Sequence, residues 1–183
     1  MMQETLGISK KGREVLSPPV IEKAHIRWMV QPDLGQVRRI EKECFEYQWT
    51  EEDFSNCLRR RNCIGLVAEA EGEVVGFMIY EFTKRRINLL NLGVKRDARN
   101  RCFGSQLVRK LIRKLSRNGR TRISFTVRER NLPAQLFFKS LGFKAVEILH
   151  QFYEEAQEDA YIMEYHIPWY KSGTSRARQL IGK

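Results

Sequence analysis

Apolar positions along this chain change their period several times, and each change marks an element. H-I-R-W-M-V at residues 25–30 is a short strand candidate. In D-L-G-Q-V-R-R-I-E-K-E-C-F, Leu34, Val37, Ile40, Cys44 and Phe45 recur near helical spacing, which predicts a first helix. A second is predicted in W-T-E-E-D-F-S-N-C-L-R-R-R. There Thr50 can cap the first turn, and Glu51, Glu52 and Asp53 suit the positive end of the helix dipole. Residues 63–83 hold two β-rich runs about a turn at residues 71–73, the pattern of a hairpin.

I-N-L-L-N-L-G-V at residues 87–94 carries apolar residues on both faces, as a central strand does. Helical spacing returns over residues 104–117, with Leu107, Val108, Leu111, Ile112 and Leu115 on one side. The other side carries Arg109, Lys110, Arg113, Lys114 and Arg117. R-I-S-F-T-V-R-E then alternates, Ile123, Phe125 and Val127 against Ser124, Thr126 and Arg128. N-L-P-A-Q-L-F-F-K-S-L-G-F reads as a short helix capped by Asn131, with Pro133 in its first turn and Gly142 at its end. Two more strands, in A-V-E-I-L-H-Q-F-Y-E and E-D-A-Y-I-M-E-Y-H-I, close the region. Hairpins combined with a strand–helix–strand unit define an α/β fold in the broad sense (α+β), with a mixed sheet.

The patterned body, about residues 23–167, reads as one domain. Residues 1–22 are polar and carry S-P-P at 17–19, so a flexible leader arm is expected; residues 168–183 read as a basic tail. The composition, 42% hydrophobic and 30% charged over 183 residues, is that of a soluble globular protein. No apolar run approaches the roughly 20 residues that span a bilayer. The N-terminal stretch lacks the apolar core of a signal peptide, so a cytoplasmic location without membrane contact is expected. Four cysteines without a C-x-x-C pair and three scattered histidines give no metal-ligand spacing, so no metal is expected.

Charge changes the picture. The net +11 is concentrated in residues 84–122, where fourteen Lys or Arg face one acid, Asp97, for +13; the rest of the chain sums to −2. Such a segment points to an anionic partner, either a phosphate-bearing ligand or RNA, against the plainer alternative of a solvated helix face. Within it, R-N-R-C-F-G-S-Q-L at residues 99–107 precedes the basic helix. A helix N-terminus offers unpaired N–H donors and a partial positive charge, and Gly104 lets the backbone come close to an anion.

The segments L-L-N-L-G-V-K-R-D-A-R-N-R-C-F-G-S-Q-L-V-R-K-L-I, T-V-R-E-R-N-L-P-A-Q-L-F-F-K-S-L-G-F and E-D-A-Y-I-M-E-Y together resemble the GNAT superfamily of acetyl-CoA-dependent N-acetyltransferases. The family's phosphate loop, R/Q-x-x-G-x-G/A, is here R-N-R-C-F-G from Arg99 to Gly104. F-E-Y-Q-W-T-E-E-D-F is similar to the stretch that shapes the peptide site in the ribosomal-protein-alanine branch, and the resemblance covers about residues 25–167. It implies a mostly antiparallel sheet of about seven strands with about four helices, opened as a V between central parallel strands. Acetyl-CoA, the donor, would lie in that V, its pantetheine arm along Leu92, Gly93 and Val94. Its pyrophosphate would rest on Arg99, Asn100, Arg101, Cys102, Phe103, Gly104 and Ser105, and Asn131 would bond near its thioester. Phe45, Tyr47, Trp49, Asn88 and Tyr153 would contact the acceptor.

Three positions depart from the family pattern. Cys102 replaces the first loop glycine, which a negative φ would allow. Thr126 stands where the branch has a glutamate base, and Phe138 stands where most of the family has a tyrosine acid. Acid–base help is typically worth about 10²–10⁴ in rate, whereas positioning can supply about 7–11 kcal/mol, so their loss need not abolish transfer. Tyr153, Glu69 and Tyr47 are the candidate substitutes. The leading expectation is acetyl transfer to an α-amine, the N-terminal alanine of a ribosomal protein, by direct attack on the thioester through a tetrahedral intermediate. The alternatives are an impaired member of the fold that binds acetyl-CoA, ribosome or RNA through its basic face and tail, and a small-amine acetyltransferase.

Overall fold

The computed structural model describes residues 22–115, 119–153 and 156–167. Apart from Glu22, the expected leader arm and the expected basic tail lie outside the described residues. In chain order the elements are β1 (His25–Trp28), α1 (Leu34–Cys44), α2 (Glu51–Arg59), β2 (Cys63–Ala70), β3 (Glu73–Phe82), β4 (Arg86–Val94), α3 (Phe103–Ile112), β5 (Arg122–Arg128), α4 (Leu132–Ser140), β6 (Lys144–Tyr153) and β7 (Glu158–His166). Every helix and strand predicted from periodicity is present. The basic helix, however, stops at Ile112, short of residue 117 where its apolar stripe was expected to end.

Local chemistry explains the boundaries. Thr50 accepts from Asp53 N–H and Asp53 accepts from Thr50 N–H, a reciprocal cap that starts α2. Asn131 caps α4 by accepting from Ala134 N–H at 3.2 Å, and Gly142 ends it at φ +91°. Among the described residues no helix is long and apolar enough to cross a membrane.

The sheet runs β1-β2-β3-β4-β5-β7-β6, antiparallel throughout except where β4 meets β5. One face carries α1 and α2 over a core of Val37, Ile40, Phe54 and Phe77. The other face carries α3 and α4, with Leu107, Leu111, Ile123 and Phe138 buried beneath them. Burial of such side chains is worth about 1.5–3 kcal/mol each, so both helix layers are fixed by apolar contact.

The parallel pairing of β4 with β5 covers only Arg86 with Arg122, Ile87 with Ile123 and Asn88 with Ser124. Beyond it the β3–β4 register steps over one residue: Ile79 faces Asn91 and Tyr80 faces Leu89, leaving Leu90 as a bulge. A bulge bends its strand and raises its twist, which turns the upper half of β4 away from β5. Residues 89–94 and 125–128 therefore have no partner in the strand across from them. That divergence is the V.

Gly93 makes this curvature compatible with the helix layer. A Cβ there would lie 2.6 Å from Cε1 of the fully buried Phe77 and 3.2 Å from Ile40. Gly93→Ala is expected to destabilise the protein by about 1–3 kcal/mol through overpacking, read as a lowered urea midpoint with an unchanged slope.

Candidate active site

The V continues into a cleft of about 460 Å³. Its walls are the connection from α1 to α2 (Phe45, Tyr47, Trp49), the bent half of β4, the free half of β5, the start of α4 and Tyr153. Thr126 and Phe138, the expected base and acid positions, both line it. Thr126 is exposed. Phe138 is buried, its ring 3.9 Å from that of Phe125 and 5.1 Å from that of Phe143. Neither contributes an ionisable group.

The helix α3 begins at one end of this opening. Its first intrahelical bond runs from Gln106 N–H to Cys102 O, and Cys102 offers the first turn no side-chain cap. The N–H groups of that turn are therefore donors available to an anion. Gly104 has a packing role besides: a Cβ there would sit 3.3 Å from Phe137 and 3.5 Å from Val94. Arg99 donates to Val94 O and to Cys44 Sγ, both at 3.3 Å. Arg101 forms a two-pronged ion pair with Glu22 and stacks 5.3 Å from the Phe103 ring.

The conformation of Cys102 answers a question the sequence left open. Its φ is +67°, left-handed, not the negative value that would readily accommodate a side chain. Asn100, at φ +62°, shares that region, where an asparagine sits with less penalty. The loop thus takes a backbone path that glycine adopts freely while carrying a Cβ at residue 102.

Two other expected site residues lie elsewhere. Asn88 sits in the closed, paired part of β4, and its amide donates to Glu81 Oε1 at 2.9 Å, so it does not line the cleft. Glu69 is bound to Arg27 at 2.7 Å on the β1–β2 side of the sheet, which removes it as a substitute base. Asn131, by contrast, caps α4 and also lines the cleft.

Residues that sequence reasoning passed over occupy the cleft floor and mouth. Glu41 is 1% exposed; its carboxylate accepts from Trp49 N–H at 2.9 Å and from Asn91 Nδ2 at 3.1 and 3.2 Å. Burial holds its carboxyl above the ordinary glutamate range, against the opposing pull of those two donors. Asn91 Oδ1 is buried and has no hydrogen-bond partner among the described residues. A signal existed: Val37, Ile40, Glu41 and Cys44 share one helix face, so a carboxylate falls within an apolar stripe.

At the mouth, Arg128 lies between two rings, 4.5 Å from Tyr47 and 4.3 Å from Tyr153, and pairs with Glu158 at 3.2 Å. It thereby joins the α1–α2 connection to the end of β6. Burial raises the pKa of Tyr153, and the Arg128 charge opposes that rise. Among the described residues no cluster of His, Cys, Asp or Glu could hold a metal ion.

A split parallel pair with a cleft along it, and an uncapped helix start near its edge, are the features the GNAT resemblance implies for an acyltransferase taking a nucleotide-linked thioester. The comparisons with known proteins agree. Residues 34–143 match the acetyltransferase (GNAT) family, and the chain belongs to that family. It is 30% identical over 133 residues to the ribosomal protein bS18-alanine N-acetyltransferase of Salmonella typhimurium, covering 72% of this chain and 89% of that one. The crystal structure of the ribosomal-protein-S18-alanine N-acetyltransferase from Escherichia coli superposes with a TM-score of 0.72 at 25% identity, over 79% of this chain and 94% of that one. Arabidopsis thaliana NAA60 in complex with acetyl-CoA shares the fold, with a TM-score of 0.70 at 21% identity, over 79% of this chain and 100% of that one. The protein is an acetyl-CoA-dependent N-acetyltransferase, with acetyl-CoA as donor substrate.

Two outcomes are expected from this geometry. Cys102→Gly removes about 1–2 kcal/mol of left-handed strain and adds back about 0.5–1 kcal/mol of chain entropy, so a small rise in the urea midpoint is expected. Glu41 binds its proton more tightly folded than unfolded, so its contribution to stability is full at acid pH. It is lost as pH rises through and above the ordinary glutamate range. Glu41→Gln, which cannot ionise, should therefore gain stability relative to the native chain over that window and hold a constant difference below it.

Proposed function

We propose that this enzyme acetylates the α-amine at a protein N-terminus, an N-terminal alanine of a ribosomal protein being the preferred acceptor. The observation that carries the reading is a cleft lined by Phe45, Tyr47, Trp49 and Tyr153 along the open half of β4 that has no ionisable group at either Thr126 or Phe138. With neither group in place, an acceptor that supplies its own neutral amine is favoured. An α-amine, with a pKa near 7.7–8.0, is roughly one-tenth neutral at pH 7, whereas a lysine side chain is neutral at less than about one part in 10³. The names of the Salmonella and Escherichia coli relatives support the same acceptor.

The residues divide the work by position. The open edge of β4 at Leu92, Gly93 and Val94 would pair with the pantetheine arm, and the first-turn N–H groups of α3 would take the pyrophosphate. Asn131 would bond near the thioester. The bound thioester supplies an activated acyl group. Phe45, Tyr47, Trp49 and Tyr153 would hold the peptide end. Asn91 Oδ1, a buried acceptor at the floor, would receive an N–H of the incoming amine, and Glu41, which binds Asn91 Nδ2, fixes which amide atom is free to do so. The neutral amine attacks the thioester carbonyl, the C–N bond forms, the tetrahedral intermediate expels CoA thiolate, and the amine's proton passes through water to that thiolate to give CoA thiol.

Incubation of the full chain with acetyl-CoA and an alanine-initiated ribosomal peptide is expected to place one acetyl group on the α-amine, located by fragmentation mass spectrometry. Below the amine pKa, kcat/KM should rise about tenfold per pH unit, because the neutral fraction does. The double variant Thr126→Glu/Phe138→Tyr should raise the rate and flatten that dependence. Exclusive acetylation of lysine side chains, or transfer by the double variant with none by the native chain, would sink the proposal.

A further inference from the structure

The basic segment does not serve the phosphate loop alone. Of its fourteen cations, Lys95, Arg96, Arg99 and Arg101 flank that loop, and Arg101 is already paired with Glu22. Seven others, Lys84, Arg85, Arg86, Arg113, Lys114, Arg120 and Arg122, lie in the connections or first strand residues at the opposite end of the sheet. Arg117 lies outside the described residues.

Register places those connections together. Cys63 faces Glu81, Phe82 faces Ile87, Arg86 faces Arg122 and Arg122 faces His166, so one end of β2, β3, β4, β5 and β7 forms a single rim. Hydrogen bonds tie the rim laterally: Phe82 N–H to Asn62 O, Thr121 N–H to Arg85 O and Arg120 Nε to Thr83 O. A third basic run, Arg59, Arg60 and Arg61, closes α2 at the same end, immediately before β2. The three runs contain no acid. The adjoining carboxylates in the strands, Glu81 and Glu164, are engaged, Glu81 with Arg60 and Asn88, Glu164 with Arg122 and His166.

Arg59, Arg61, Lys84, Arg85, Arg86 and Arg113 are exposed and form no ion pair among the described residues. Trp28, the last residue of β1 and opposite Leu66 of β2, is 63% exposed, with Lys114 Nζ 6.0 Å from its ring. The rim stands a helix length from the phosphate loop, about 15 Å for the ten residues of α3, so it is a separate surface.

We propose that this rim docks single-stranded RNA, its arginines and lysines gripping successive phosphates and Trp28 stacking on a base. Guanidinium forks match phosphate oxygens two at a time, and arginine dominates the rim. An exposed indole among cations adds the aromatic platform that single-strand binders use, a feature an acidic peptide does not need. The proposal is independent of which amine the enzyme acetylates.

Fluorescence anisotropy of the full chain with a labelled 20-nucleotide RNA of mixed sequence tests it. Neutralising about five phosphates predicts a log–log salt slope near −3.5, about a hundredfold loss of affinity between 50 and 200 mM salt. Lys84→Glu/Arg85→Glu/Arg86→Glu should weaken binding at least about tenfold while calorimetric acetyl-CoA binding is retained. Trp28→Ala, at an exposed position, should weaken it about fivefold or more. RNA affinity that survives the triple reversal overturns the assignment. So does tighter binding to polyglutamate or to phosphatidylserine vesicles than to the RNA, which would give the rim to an acidic protein or to a membrane.

Discussion

A three-residue pairing governs this molecule. Strands β4 and β5 are parallel neighbours only from Arg86 to Asn88, and the bulge at Leu90 then commits β4 to its antiparallel partner β3. Without that slip the two strands would zip along their full length, and the unpaired backbone proposed to receive the thioester arm would be consumed by the sheet itself. The open edge is affordable because both flanks of the V are anchored by apolar burial, α1 on one face, α3 and α4 on the other. The active site is thus a defect in a sheet, held open by the cores on either side.

The cleft is organised by polar contacts that join elements distant in sequence. Glu41 on α1 receives the Trp49 backbone and the Asn91 amide, so one buried carboxylate positions the helix connection and orients a strand side chain. Arg128 acts likewise at the mouth, where its guanidinium is shared by the rings of Tyr47 and Tyr153. A buried charge of this kind is costly unless every oxygen finds a donor, and leaving it half-partnered would be worse than never burying it. The cleft therefore depends on Glu41 as a connector even where no proton moves.

Periodicity made the elements legible because each carries its own pattern. The helical stripe of α3, the alternation in β5 and the Thr50–Asp53 cap of α2 all depend on neighbours within one turn or one strand. The bulge was not legible. In I-N-L-L-N-L-G-V a one-residue slip leaves no mark, since both faces are apolar. That single gap explains why sequence reasoning chose Asn88 when the asparagine in the cleft is Asn91: the first precedes the bulge and stays in the paired ladder, the second follows it. Glu41 meeting Asn91, fifty residues apart, is likewise a product of topology. The loop was readable as a motif, but the sign of φ at Cys102 was not, because a side chain there argues locally for the opposite conformation.

That left-handed cysteine has a consequence for the loop before α3. A glycine at this position would wander among several backbone basins whenever the loop was empty, and binding would have to freeze it. With a Cβ, position 102 has few shapes to choose from, and folding rather than ligand capture settles which one it adopts. The entropy of ordering this turn is then lost once, on folding, and the pyrophosphate proposed for this loop would meet a turn already set.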